Sequence, residues 1–182
     1  LITSSAASDV YKRQSFNDIN GGSIAIDVAK KDSVYREVST KIKSILREEN
    51  RKKYNDIITQ KKFFLNCKKN KTLLVNLLKK LKKNNKIVYG YGASTKGNVI
   101  LQYCRIKDNL INKIVEINKF KFNKYTPGTK IKIISESEAK SIKTDYYLVL
   151  PWHFKKNIIE REKKYLKKGG KLIFPLPKIQ IV

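Results

Sequence analysis

An α/β fold is predicted, with a Rossmann-like parallel sheet flanked by helices and preceded by a long helical linker and a short β element, and three observations predict it. From residue 86 onward, short apolar runs of strand length alternate with helical patterns, as in a parallel sheet covered on both faces. Residues 33–84 contain no glycine or proline and are dense in Lys, Glu, Leu and Ile, which predicts one long or two consecutive helices. The 182 residues are 41% hydrophobic and 10% aromatic, enough to bury one core with an appendage.

The N-terminal part is the least regular. Residues 1–14, LITSSAASDVYKRQ, share none of the Lys/Asn/Ile bias that starts soon after and resemble translated adapter sequence, so they are set aside as non-native. The chain has no Met, which predicts a fragment of a longer protein. In 16–30 the Gly21-Gly22 turn signal precedes alternating Ile24, Ile26 and Val28, predicting a strand with one buried face. Leu73, Leu74, Leu77, Leu78 and Leu81 then recur at helical spacing and predict an apolar stripe facing a neighbour. Five leucines within nine residues are too short a run for a coiled-coil seam. Beyond residue 86 the predicted strands are 87–91, 113–117, a weaker 130–134, 146–150 and 171–174. Helices fill 95–104, 136–142 and 154–166, with Ser94 and Ser135 placed as caps.

Composition narrows the function classes. Lys and Arg number 41 against 15 Asp and Glu, a formal +26. The lysines are scattered among Asn and Ile, as AT-rich coding produces, with no Arg-rich stripe or RNP-like aromatic motif; solvated helix faces are expected rather than a nucleic-acid partner. No run of eighteen apolar residues and no basic-then-apolar leader occurs, so neither a membrane partner nor secretion is expected, and the default location is cytoplasmic. Cys67 and Cys104 lack ligand or disulfide spacing and are expected to be bystander thiols, with no metal site on this chain. Nothing in the sequence fixes the oligomeric state.

Chemistry in such a sheet gathers at the carboxyl ends of the strands. The first strand-end loop is Gly90, Tyr91, Gly92, Ala93, Ser94, Thr95, Lys96, Gly97 and Asn98. Glycines admit a phosphate close to the backbone, the hydroxyls donate to its oxygens and Lys96 adds charge, so a diphosphate suits it; a tight turn without a ligand uses the same residues. G-x-G-x-x-G fails at Thr95 and the P-loop pattern fails at Asn98, which argues against an ordinary NAD or ATP site. Glu116 stands where a Rossmann domain places a ribose-binding carboxylate, or is a solvated strand-end charge. Trp152 and His153 open a helix after the fourth strand, at the crevice rim; packing and a helix-start hydrogen bond are their plainer roles.

Four segments occur in one order and spacing: GYGASTKGN, EINKFKFNK with KYTPGTKIKI, LPWHF, and GGKLIFPLP. Together they resemble the C-terminal domain of the SAM-dependent sugar C-methyltransferases, a family that includes enzymes acting at C-3 of dTDP-linked deoxysugars, over residues 16–182. The resemblance implies a zinc-binding N-terminal domain and a central SAM-binding domain elsewhere in the full-length enzyme. It implies that 15–32 is the end of the central domain, 33–85 a helical linker and 86–182 the C-terminal Rossmann-like domain. It further implies a nucleotide-linked sugar, such as a dTDP-keto-deoxysugar, lying against loop 90–98. Glu116, Asn118 and Lys121 match the family's D-x-N-P-x-K pattern, here with Lys119 in place of its proline. Tyr125, Pro127, Gly128 and Thr129 match its Y-x-P-G-T turn, expected to present hydroxyls at the same edge as that loop or to be an architectural turn. Gly21-Gly22-Ser23 matches a GGS motif, with Asn20 where the family has His. The catalytic residues and the SAM loop belong to the central domain, so this chain is expected to hold no catalytic residue and to transfer no methyl group alone. The alternatives are an NAD(P)-binding oxidoreductase module and a basic nucleic-acid module.

Overall fold

Apolar residues placed two apart along a chain need both a partner strand and a covering layer, and the first stretch of this protein finds the former and only part of the latter. The computed structural model describes residues 9–36 and 38–182, and the chain divides into two compact units, 1–63 and 64–182. In the first unit, β1 (Asp9–Asn17) pairs antiparallel with β2 (Ser23–Lys30), Phe16 opposite Ile24 and Gln14 opposite Ile26, with a register shift between Tyr11 and Arg13. Asn20, Gly21 and Gly22 reverse the chain with φ of 54°, 80° and 117°. Residues 9–14, set aside in the sequence, therefore belong to a strand; residues 1–8 lie outside the described residues. The expected buried face of β2 is not there: Ile24, Ile26 and Val28 are 58%, 43% and 51% exposed. Within this unit α1 contacts β1, and the Val38 amide donates to the Lys12 carbonyl at 2.8 Å, but this partial cover leaves those three side chains open, and a two-stranded ribbon buries little. The helical stretch is two helices, α1 (Ser39–Arg51) and α2 (Ile57–Lys83), because the chain turns at Lys53 with φ 52°.

The second unit is a Rossmann-like α/β sandwich. Its six strands are β3 (Val88–Tyr91), β4 (Lys113–Glu116), β5 (Lys132–Ser135), β6 (Tyr146–Val149), β7 (Lys171–Phe174) and β8 (Gln180–Ile181). They lie in the order β5-β4-β3-β6-β7-β8, all parallel except β8, which runs antiparallel to β7. The edge strand β8 was not foreseen, since two residues beyond a proline-rich stretch carry no alternation. The helices are α3 (Thr95–Tyr103), α4 (Glu136–Lys140), α5 (Lys155–Arg161) and α6 (Lys163–Lys167). The single helix expected over 154–166 is a 3-10 turn followed by α5 and α6, broken at Glu162, where the backbone leaves helical angles (φ −93°, ψ 16°).

Strand alternation sorts the core into two layers. On one face Val88, Ile114, Leu148, Leu150 and Ile173 meet Leu74, Leu78 and Leu81 of α2 and Leu101 of α3. The stripe on α2 is thus narrower than its five leucines suggest, with Leu73 still 51% exposed. On the other face Tyr89, Tyr91, Val115, Tyr147, Val149 and Phe174 meet Ala139 of α4 and Ile158 of α5. Cys104 is buried and Cys67 half-buried, both free thiols.

Candidate functional site

From β3 the chain leaves through α3 to β4 on one side, whereas β6, the other neighbour of β3, leaves through α5 and α6 to β7 on the opposite side. Two loops therefore diverge at adjacent strand ends and open a crevice, the position at which doubly wound sheets bind ligands. Loop 90–98 forms one wall and the 3-10 turn Trp152–Phe154 the other.

Each glycine of the first loop has a packing reason. A Cβ on Gly90 would lie 2.7 Å from Ile114 Cγ1, one on Gly97 2.4 Å from Leu150 Cβ, and one on Gly92, at φ 77°, 2.9 Å from Pro151. Ser94 caps α3, its Oγ accepting from the Gly97 amide at 3.0 Å. Glu116 then ties this loop to the next. Its Oε2 accepts from the Ala93 amide at 2.9 Å, and its Oε1 accepts from the amides of Ile117 and Asn118 at 2.8 and 3.0 Å. Lys121 Nζ lies 3.4 Å from Oε2 and donates to the Ala93 carbonyl at 2.9 Å. Burial works to raise the Glu116 pKa, but the Asn118 and Ile117 amides, the Lys121 charge and the Ala93 amide outweigh it and hold the carboxyl below its ordinary value. Glu116 is 8% exposed, not a solvated strand-end charge. Asn118 Oδ1 accepts from the Phe120 amide at 3.0 Å, turning the chain back toward Lys121.

These bonds limit what the loop offers a ligand. The amides of Ala93, Ser94, Gly97 and Asn98 bond to Glu116 Oε2, Gly92 O, Ser94 Oγ and Ser94 O respectively. The wide backbone cradle expected from the glycines is therefore narrower, and the exposed groups at the start of α3 are Thr95 and the Lys96 side chain. Tyr91 does not face the crevice at all. Alternation turns its phenol to the other face of the sheet, where it donates to Glu162 Oε1 at 2.7 Å.

Across the crevice, Trp152 packs against both apolar layers, and the His153 ring stands edge-on to it at 5.7 Å between centroids. Burial, and then the charge of Lys96, hold the His153 pKa below its usual value, so the ring is neutral at pH 7. His153 Nδ1 and Asn98 Oδ1 are buried without a hydrogen-bond partner, an arrangement that costs free energy.

The turn at 125–129 is elsewhere. Tyr125 bridges Lys132, the first residue of β5, and Gln102 in the last turn of α3 reaches the Pro127 carbonyl at 3.4 Å. Both contacts put Pro127 and Gly128 at the amino ends of the strands, opposite loop 90–98, and correct the expectation of a shared edge. Thr129 is buried with its hydroxyl 2.7 Å from that of Thr126, which also accepts from the Ile131 amide, so the hydroxyl is not presented. Thr126, the residue that organises this turn, was missed; a threonine that closes a turn onto its own backbone is the available signal.

The crevice thus gathers Thr95, Lys96, Asn98, Trp152 and His153 over a foundation of Glu116, Asn118 and Lys121. It offers cationic and neutral donors and suits an anion. A SAM or NAD ribose in such a fold needs a strand-end carboxylate with free acceptor capacity. Glu116 is already occupied by three amides and a lysine, so the residues present do not fit either cofactor. Among the described residues no group of three or more His, Cys, Asp or Glu could hold a metal ion, and no helix is long and apolar enough to cross a membrane.

Residues 18–177 match the family model described as the C-methyltransferase C-terminal domain. The C-methyltransferase NovU of Streptomyces niveus is 30% identical over 165 residues, which is 91% of this chain and 39% of that relative. The chain therefore spans well under half the length of the curated relative it matches.

Proposed function

This chain belongs to the C-methyltransferase C-terminal domain family, and from that membership we propose that it is the substrate-side part of a SAM-dependent sugar C-methyltransferase, holding the diphosphate of a nucleotide-linked sugar in the strand-end crevice. The observation that carries this is the divergence of the loops after β3 and β6, which sets Lys96 and Thr95 opposite His153 at one strand edge. Lys96 and the first turn of α3 attract the anion, and the neutral His153 ring and Asn98 are polar groups whose missing partners a bound substrate could supply. The substrate class is a dTDP-keto-deoxysugar and the setting cytoplasmic deoxysugar biosynthesis. SAM supplies the methyl group in that chemistry, and no step involving it is assigned to these residues. On this reading 1–14 is non-native, 15–32 ends the SAM-binding domain, 33–85 links, and 86–182 binds substrate; proton removal and methyl transfer fall to the rest of the longer protein, whose N-terminal domain holds zinc.

Calorimetric titration of the chain with dTDP, NADH and duplex DNA tests the proposal. Saturable binding of dTDP is expected, weakened about tenfold by Lys96→Ala, or about 1.4 kcal/mol. Binding of NADH without dTDP, or of DNA alone with a steep salt dependence, would replace it with the oxidoreductase or nucleic-acid reading.

A further inference from the structure

The face of the sheet that Tyr91 points to carries a second concavity, apart from the strand-end crevice. Because α4 is only five residues long and α5 and α6 break apart at Glu162, the helical layer leaves a gap above β4, β3 and β6. That gap is a cavity of about 690 Å³, within the range of small-molecule sites. Tyr91, Tyr147 and Tyr165 line it, with ring centroids 5.5 Å apart for the first pair and 4.7 Å for the second. Two of the phenols are anchored, Tyr91 to Glu162 and Tyr165 to the Thr144 carbonyl at 3.2 Å, and with Tyr91 and Tyr147 only 7% and 9% exposed, the aromatic surface on offer is Tyr165 and the narrow exposed parts of the other two rings.

The polar lining is uneven. The acids within it are engaged: Glu136 with Arg161, Glu162 with Tyr91, and Asp145 with the Ile87 amide and Lys86. Lys140, Lys143, Lys164 and Lys168 also line the cavity and, among the described residues, form no ion pair. Thr144 is 7% exposed, and its Oγ1 has no hydrogen-bond partner. An aromatic wall, a rim of unpaired ammonium groups and one orphan hydroxyl define a complementary ligand. We infer that this cavity binds a planar aromatic ring carrying an anionic group, of about the size of a nucleoside monophosphate, with its ring against the tyrosines and its anion on the lysine rim.

Amide shifts of the isotope-labelled chain, titrated with uridine 5′-monophosphate, 2-naphthoate and inorganic phosphate, test this. Both ring-bearing anions are expected to shift Ala139, Thr144, Tyr147 and Gly170, with phosphate leaving them unmoved. The variant Lys143→Glu/Lys164→Glu, altered only at exposed positions, is expected to weaken both ligands at least about tenfold with its thermal midpoint unchanged, and Thr144→Val to weaken at least one. Tighter binding of the nucleotide would assign the site to nucleotides, and tighter naphthoate binding to aromatic acids; either supports the inference. No shift at these amides up to about 5 mM, equal affinity in the charge-reversed variant, or the same shifts from phosphate alone would overturn it. Nucleotide shifts confined to Lys96, Asn98 and His153 would also overturn it while leaving the strand-end crevice supported.

Discussion

Glu116 shows how one side chain can be mistaken for a ligand group. Its position at the end of β4 is legible in the sequence, but its partners are not, because three of its contacts are backbone amides whose direction depends on loops that no pattern specifies. Glu116→Gln replaces one acceptor oxygen by an amide that must face the Ala93 N–H and Lys121. A loss of about 1–3 kcal/mol in urea unfolding at pH 7 is expected. The sign with pH follows from the depressed carboxyl. Its contribution is complete above the ordinary glutamate range, near pH 4.3, and is lost as pH falls through the lower folded value. The stability gap between the wild type and the Gln variant should therefore shrink between pH 6 and pH 3; a constant gap would show that the carboxylate is not specially held. His153 was legible only as a position at the rim. The Lys96 charge that helps lower its pKa comes from another loop, which no pattern around His153 announces.

At the scale of elements, the buried strands were legible because continuous apolar runs such as Tyr147, Leu148 and Val149 have no other place to go. Helix breaks and edges were not: β8 is too short for a period, and the break at Glu162 lies inside an unbroken helical composition. The strand in 16–30 was recognised, but its burial was overestimated, since alternation announces a face and not the layer that covers it. α3 illustrates two competing effects at one position. Gly97 lies inside the helix, where alanine would gain about 1 kcal/mol in propensity. The added Cβ, however, would stand 2.4 Å from Leu150 Cβ, and forced overpacking costs about 1–3 kcal/mol. Gly97→Ala is expected to lower the thermal midpoint, with a smaller loss when paired with Leu150→Ala than the two single changes added together. A raised midpoint would mean that α3 can shift freely on the sheet.

For the whole molecule, the two units differ in how their apolar residues are housed. Ile24, Ile26 and Val28 stand in the open, whereas Leu148, Val149 and Leu172 are fully enclosed. Amide exchange should register this contrast: Ser23–Lys30 is expected to exchange at least ~100-fold faster than Tyr146–Val149, and equal protection would mean that the ribbon is covered in solution. The parallel sheet and its alternation with helices followed from the sequence, and chemistry was expected at the strand ends, but which crossovers part there depends on the order β5-β4-β3-β6-β7-β8, which no local pattern specifies. Strand β3 sits at that parting and ends in two consecutive residues with opposite allegiances. The Tyr91 phenol grips the junction of α5 and α6, while the Gly92 that follows it bears on Pro151. The two contacts meet at a single peptide link, so any coupling between occupancy above the sheet edge and occupancy beneath the short helices would be reciprocal, each changing the affinity of the other by the same factor.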